Sequence, residues 1–471
     1  MLVSSRGKII EFWSRAHTGP ICFAQDFDTK VYWPKLKAIT KKWGITYDPS
    51  QMIPCDDDLL DRLWRAAIEM VLEVGVLCTD TQRLITFTEQ EVMDVIDNIP
   101  DSYTMGSGKD AILCTHRGFE DYEHRKNPVF LTGRILGPIS EDLYEKVCWS
   151  YIQEPLVDYI AFQGNLTKIH NVPVTPNSPW EMLAEMKCIS IVKDVCRRAC
   201  RPDFADGGIR TLALSAQTVA GHPGWGIRRG DNRCCLITPH HKVTYDHMTR
   251  ALTWHTYGIN IQGGMCSYIG GLSGSPATSA VTGTAEFIIN KLLYDITIDG
   301  SWAVDAMYFS NTSKYSMWCS NYQNAAVVRN THTAPLIGGG WQMTCGIGSE
   351  EFFWESAASA VSAVVLGNGV SGGTGAQSGL KDHQSGLGLQ FSAEVGEAVA
   401  KARLTRAHAN DLVKRIMAKY QPTIDSHTAH KMGGDFRECY NLVTVQPQKW
   451  YMDMYDKVKK ELTQMGLPME Y

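Results

Sequence analysis

The sequence predicts an α/β protein, a (β/α)8 TIM barrel carrying an N-terminal helical extension. From about residue 127 onward, short apolar runs alternate with longer helical patterns, the texture of repeated βα units. About eight such runs over roughly 290 residues suit a closed barrel better than an open sheet. Glycine runs at Gly263–Gly264, Gly270–Gly271, Gly338–Gly340 and Gly372–Gly375 fall at or near the ends of these runs, where a chain turns or meets a flat ligand.

Residues 1–105 read as the helical extension. In Asp58–Leu77 the apolar residues Leu59, Leu63, Ala66, Ala67 and Met70 recur at spacings of three and four, one stripe of a helix. Residues 106–471 read as the barrel with a C-terminal helical tail, one structural unit. Its strand candidates are Pro128–Thr132, Asp158–Gln163, Thr211–Ser215, Arg233–Thr238, Ile259–Gln262, Ala303–Phe309 and Ala334–Gly338, with an eighth between Ala363 and Leu389. Helices are expected at Pro179–Arg198, Tyr245–His255, Ala277–Leu293, Lys314–Arg329, Glu350–Leu366 and Ala393–Tyr420. Catalytic groups of such barrels stand on the loops after the strands, which directs attention to Ser215–Gln217, Thr238–His241, Gln262–Gly264, Ser310–Asn311 and Gly338–Gln342.

Composition narrows the function. The 471 residues are 44% hydrophobic and 20% charged with net charge −5, so a large core is affordable and the clustered positive charge of a nucleic-acid binder is missing. No apolar stretch reaches membrane-spanning length, and the N-terminus lacks a secretory pattern, so a cytoplasmic location is expected. The 14 cysteines form no CxxC pair; Cys234 and Cys235 are neighbours that would face opposite sides of a strand, and most cysteines read as reduced core thiols. Neither Gly106-Ser-Gly-Lys-Asp nor the Gly372–Gly379 run has the context of a phosphate-binding loop.

Several strings from both ends of the chain, taken together in order, resemble the monomethylamine:corrinoid methyltransferases of methanogenic archaea. They are Cys78-Thr-Asp-Thr-Gln-Arg, Gly106-Ser-Gly-Lys-Asp-Ala, Gly137-Pro-Ile-Ser-Glu-Asp, Leu214-Ser-Ala-Gln, Tyr268-Ile-Gly-Gly and Phe436-Arg-Glu-Cys-Tyr with Thr444-Val-Gln-Pro. The resemblance implies a (β/α)8 barrel, a homo-oligomer, a small methylated amine as substrate and a cognate corrinoid protein as methyl acceptor. It implies no tightly bound cofactor, the corrinoid (cobalamin) being supplied by the partner. The family's distinctive pyrrolysine sits shortly before the Ser-Ala-Gln string, and its matching position here is Gly207 or Gly208. A family glutamate matches His241, an acidic position matches Asn260, and a glutamine matches Gly340.

With glycine in place of pyrrolysine, the amine must bring its own activation, as a quaternary or protonated nitrogen does. The space left open would admit a larger substrate. The residues expected to act are therefore His241, Asn260 and Gln262, with Gly207, Gly208, Gln217, His240, Gly340, Trp341 and Gln342 around the substrate. Trp225, Trp254, Trp302 and Trp341 are candidates for an aromatic wall against a methylammonium head, each also readable as a core residue, with Trp341 favoured for the pocket. His241 is read as a polar contact or proton donor to the departing amine, with a loop histidine as the plain alternative. A zinc site at His240–His241 with Cys266 or His255 would instead fit an O- or S-methyl donor, although adjacent residues rarely converge on one ion. A barrel that binds its ligand or partner without catalysis is the remaining alternative.

Overall fold

The computed structural model describes residues 5–123, 131–162, 164–208, 214–235, 240–338 and 342–470. Eight parallel segments close into a barrel. Leu131–Ile135 pairs with Tyr159–Phe162, which pairs with Asp206–Gly207. Asn232–Cys234 pairs with Asn260–Gln262, and single bridges Gln262–Ile298, Gly300–Ile337 and Ile337–Gly369 carry the sheet through its sixth and seventh segments. Val370–Gly372 then pairs with residues 131–133 and closes the ring.

The seam between the third and fourth strands is made by side chains. Asp206 N donates to Asp231 Oδ1 at 2.7 Å and Gly208 N to Asn232 Oδ1 at 2.9 Å. Fully buried Arg233 donates from the fourth strand to Asp206 O and Asp206 Oδ2.

A helix follows each strand: Tyr144–Ile152, Pro179–Arg198, Leu214–Ala220, Tyr245–Tyr257, Pro276–Tyr294, Lys314–Asn330, Glu350–Val365 and Gly386–Ala402. Several begin at a hydroxyl cap: Thr244, Ser275, Ser313, Ser349 and Ser385 each accept a bond from an amide in the first turn. The helix Pro276–Tyr294 is buried along its whole length, because Asp57–Val74 of the extension packs across it. The extension is thus welded to the barrel through one continuous apolar core.

Most expected helices stand within a residue or two of their predicted ends; the exceptions are informative. Ala393–Tyr420 is two helices, Gly386–Ala402 and Arg406–Asp425, broken at Arg403, whose φ is +50°, and restarted by the Thr405 cap. The third strand is Asp206–Gly207 rather than Thr211–Ser215; residues 211–213 lie outside the described set, and Leu214 already begins a helix. Residues 128–130, 163 and 236–238 of other strand candidates also lie outside it. Ala303–Phe309 is corrected to Ser301–Asp305 followed by a turn. That strand continues from the sixth barrel segment and pairs with Met265–Ile269, so strands five and six run past the rim as a two-stranded ribbon. A hairpin of Ser102–Met105 and Ile112–Thr115 spans the expected boundary at 105/106.

Candidate functional site

Alternation along the strands decides what faces the barrel lumen. On the second strand Ile160 and Phe162 join the outer core, whereas Tyr159 and Ala161 belong to a separate cluster with Ala205, Ile298 and Ile337. At the N-terminal end of the barrel this cluster is sealed by Tyr103, Met105 and Cys114 of the hairpin. The Gly106–Ala111 string is the turn of that hairpin, fixed by Gly106 N donating to Gly230 O, a structural role.

Higher in the lumen the lining turns polar. The Tyr159 hydroxyl donates to Asn232 Oδ1 at 2.7 Å and reaches Gln262 Oε1 at 3.3 Å, and Asn232 Nδ2 lies 3.5 Å from the same Gln262 oxygen. Asn232 Oδ1 also takes the Gly208 amide, so second, third, fourth and fifth strands meet in one buried network. Gly207 is required here: a Cβ on it would stand 1.8 Å from the Tyr159 hydroxyl oxygen. Gly208 has φ +87°, a left-handed conformation that side chains resist.

On the eighth strand Val370 packs outward, and a Cβ on Gly372 would strike Ser392 of the following helix. Ser371 between them therefore points inward, its Oγ buried and without a hydrogen-bond partner. Half-buried Trp302 packs on the lumen cluster from the sixth strand. A neutral polar floor with an aromatic wall can hold and orient a small organic cation, because hydrogen bonds fix it and the ring face attracts its charge.

The expected residues divide sharply. Gln262, Gly207 and Gly208 meet in the lumen network. Gln217 is buried on the helix after the third strand, and Gln342 is buried beyond the seventh. Gly340 and Trp341 lie outside the described residues.

Asn260 turns toward the N-terminal hairpin, its Nδ2 donating to Thr104 O at 2.9 Å at the edge of a groove of about 720 Å³ that Arg228 and Arg229 also line. Its amide is thus held by the hairpin rather than by the network of Gln262, two residues further along the same strand. The space expected above the glycine pair is likewise corrected: at Gly207 the Tyr159 ring already fills it.

The two histidines leave the lumen for the seam with the extension. Fully buried His241 has Nδ1 at 3.2 Å from Gly75 O and its ring 5.5 Å from that of Tyr32, and the following strand Lys242–Val243 pairs with Val76–Cys78. Burial pushes its pKa down to about 3, so the ring is neutral and has no proton to give beyond its single N–H. The proton-donor role is therefore not supported.

His240 N donates to Glu286 Oε1 at 3.1 Å and its Nε2 meets Ser273 Oγ at 2.9 Å, with burial lowering its pKa to about 4. Glu286, fully buried on the helix Pro276–Tyr294, is held well above the usual carboxylate range, first by burial. His255 bonds Tyr294 O and lines the N-terminal groove, far from the pair. Among the described residues no group of three or more His, Cys, Asp or Glu is placed to hold a metal ion.

Sequence reasoning missed Tyr159 and Asn232. Their signal was faint: a tyrosine inside an apolar strand, and an Asp-Asn-Arg triplet opening another. Trp254 is core, its Nε1 donating to Cys234 O.

Comparison with known proteins agrees with this architecture. The monomethylamine methyltransferase MtmB family profile matches residues 8–467. Monomethylamine methyltransferase MtmB2 of Methanosarcina acetivorans is 28% identical over 463 residues, covering 97% of both chains. Monomethylamine methyltransferase MtmB1 of Methanosarcina barkeri is 27% identical over 463 residues, with the same coverage. The crystal structure of the Methanosarcina barkeri monomethylamine methyltransferase superposes with TM-score 0.91 at 25% identity over 98% of each chain, as does the crystal structure of a hydroxylamine MtmB complex. With a family match over nearly its whole length and the same barrel, the chain belongs to the monomethylamine methyltransferase MtmB family.

Proposed function

We propose that this chain moves a methyl group from a small N-methylated amine, by preference a quaternary or otherwise charged one, to the cobalt(I) of a corrinoid carried by a partner protein. We further propose that it does so without covalent capture of the amine. Family membership supports the first part. The observation that carries the second is the filled space at Gly207, where the Tyr159 phenol occupies the place from which a capturing side chain would leave the strand. At Gly208 the positive φ weighs against a long side chain as well.

Without an adduct, the substrate's own positive charge makes its nitrogen a leaving group. The corrinoid supplies the nucleophile when its carrier docks, and the chain supplies position. Trp302 faces the cation, the Tyr159–Asn232–Gln262 network forms a neutral floor, and the Ser371 hydroxyl offers an acceptor. Gln342, buried just beyond the seventh strand, is a further candidate for the pocket. None of the floor residues is ionisable at neutral pH, which suits a nucleophilic metal that an acid would quench. Holding the methyl carbon about 3–3.5 Å from its acceptor in line is the main catalytic device.

The test is to incubate the protein with a reduced corrinoid protein and mono-, di- and trimethylamine, tetramethylammonium and glycine betaine, following methyl-cobalt formation by visible absorbance. Transfer from a quaternary amine supports the proposal, and no transfer from any member overturns it. Tight amine binding by calorimetry without transfer would favour a binding-only barrel.

A further inference from the structure

The fourth and fifth strands separate toward the mouth. Among the described residues their last backbone bond is Cys235 N to Gln262 O, and the helix Pro276–Tyr294 fills the gap beyond it with two side chains four residues apart on one face. Asn290 Nδ2 donates to Gly264 O at 3.2 Å. Glu286 accepts from His240 N at 3.1 Å, and the Cys266 amide bonds the same carboxyl. A glutamate therefore stands in the barrel wall where strand pairing has lapsed.

Its second oxygen, Oε2, is fully buried and has no hydrogen-bond partner. A buried polar atom left in this way destabilises the fold, so its retention points to a ligand. The turn that delivers the His240 amide is strained as well: His240 and His241 both take left-handed φ, +68° and +58°, which non-glycine residues seldom adopt even once.

Nothing around the carboxyl supplies a cation. Burial holds His240 and His241 neutral, and it pushes up Tyr32, Tyr268, Cys266 and Cys319, which keep their protons. Asp299 shares the sign of Glu286. Lys242 is paired with Asp28 at 2.7 Å, and Lys291 is turned to Ile296 O at 2.6 Å. On the other side of the gap lies the pocket. Cys266 is the cross-strand partner of Trp302, so the two share the face that packs on the lumen cluster, with Tyr268 two residues on. The Cys266 thiol and the Tyr268 phenol are raised first by burial and then by negative charge that includes Glu286, which puts the carboxyl within electrostatic reach of that face.

We infer that Glu286 is the counter-ion of the substrate: its free oxygen receives the positive head of the methylated amine beside Trp302, and a proton leaves the carboxyl for solvent as the cation enters. This rests on the methyl-transfer function proposed above. The exchange keeps the buried site neutral, an acid before and an ion pair after, so no uncompensated charge is buried. It also selects for charge, because a neutral molecule of the same shape gains no ion pair. With substrate bound the wall holds a carboxylate rather than an acid. When the methyl group has passed to its acceptor, the electron pair of the broken C–N bond stays on nitrogen, the product amine is uncharged, and Glu286 takes back one proton from solvent.

The test is calorimetry of the full-length protein with tetramethylammonium, repeated in buffers of different ionisation enthalpy. Wild type should release about one proton per cation bound near pH 7. Because binding expels a proton, affinity should rise with pH, about tenfold per unit, until the free carboxyl itself ionises. In this window the two histidines are neutral and Asp299, pushed up to about 6 by burial, has already ionised. Glu286→Gln keeps an acceptor for His240 N, so its melting temperature should not fall, while affinity drops about tenfold or more and both proton release and pH dependence vanish. The wild-type proton count needs no variant: tetramethylammonium binding without proton release overturns the counter-ion, even where methyl transfer to a reduced corrinoid protein succeeds and the function stands. Undiminished affinity in folded Glu286→Gln protein overturns it too. Wild-type protein that neither binds a methylated amine nor transfers methyl removes the function, and the role of Glu286 with it.

Discussion

The two ends of the barrel are built from the same strands and do opposite work. At the N-terminal end Tyr103, Met105 and Cys114 press into Ala205, Ile298 and Ile337, and the lumen is closed and apolar. Directly above it Tyr159, whose ring belongs to the same cluster, turns its hydroxyl to Asn232 and Gln262, so buried polar atoms meet there, and Ser371 adds a hydroxyl with no partner. Leaving a buried polar group unsatisfied costs about 1–3 kcal/mol, so the mouth gives up stability that the plug does not. The contrast teaches that stability and chemistry are divided along the barrel axis, as is general for this fold.

The largest effect should come from the plug. Met105→Ala opens a cavity in a tight apolar cluster and should lower stability by about 2–5 kcal/mol in denaturant titration, with kcat/KM unchanged at temperatures where the protein stays folded. A large fall in kcat/KM with intact folding would break the division between the ends.

Next is Gly207→Ala, whose methyl would meet the Tyr159 ring at 1.8–2.2 Å and should cost up to about 3 kcal/mol. In a Tyr159→Ala background the same change should cost much less, and a coupling energy near zero in the double-mutant cycle would deny that the ring fills the site.

Acid should act at the seam beside the mouth. His241 has its folded pKa lowered from 6.5 to about 3 by burial, so below pH 6.5 the unfolded chain takes up a proton that the folded one refuses. Its contribution is fully present above pH 6.5 and is lost as pH falls toward 3, amounting to about 2 kcal/mol at pH 5. His241→Gln should flatten the fall of melting temperature between pH 6.5 and 4, and an unchanged slope would show that the ring is not buried neutral.

The smallest stability effect belongs to Tyr159→Phe, about 1 kcal/mol for a lost hydroxyl bond. If the floor orients substrate, its kcat should drop by more than that energy accounts for, roughly tenfold or beyond. Equal kinetics would move the site away from this network.

Much of the architecture was legible because its signals are local. Pro179–Arg198 and Lys314–Asn330 show in apolar spacing and in the residues that start them, Pro179 after Ser178 and the Ser313 cap. The eighth strand was foreseen only as an interval, since Val370–Gly372 is three residues within a glycine-rich run. The sixth was misread at Ala303–Phe309, because the barrel pairing rests on single bridges at Ile298 and Gly300 with little local pattern.

The sequence by itself determined the alternation of strands and helices, the helix that Asp57–Val74 forms and the glycine at positions 207 and 208. Those follow from side-chain periods and residue chemistry within a few positions. Only the tertiary structure decided that Tyr159 stands in the space above Gly207, that His241 turns away to Gly75, and that Asn260 is held by Thr104 of the hairpin while Gln262 joins Tyr159 and Asn232. Each depends on register around a closed barrel, where strands distant in the chain set which side chains meet, and a shift of one residue would turn every one of them to the other face.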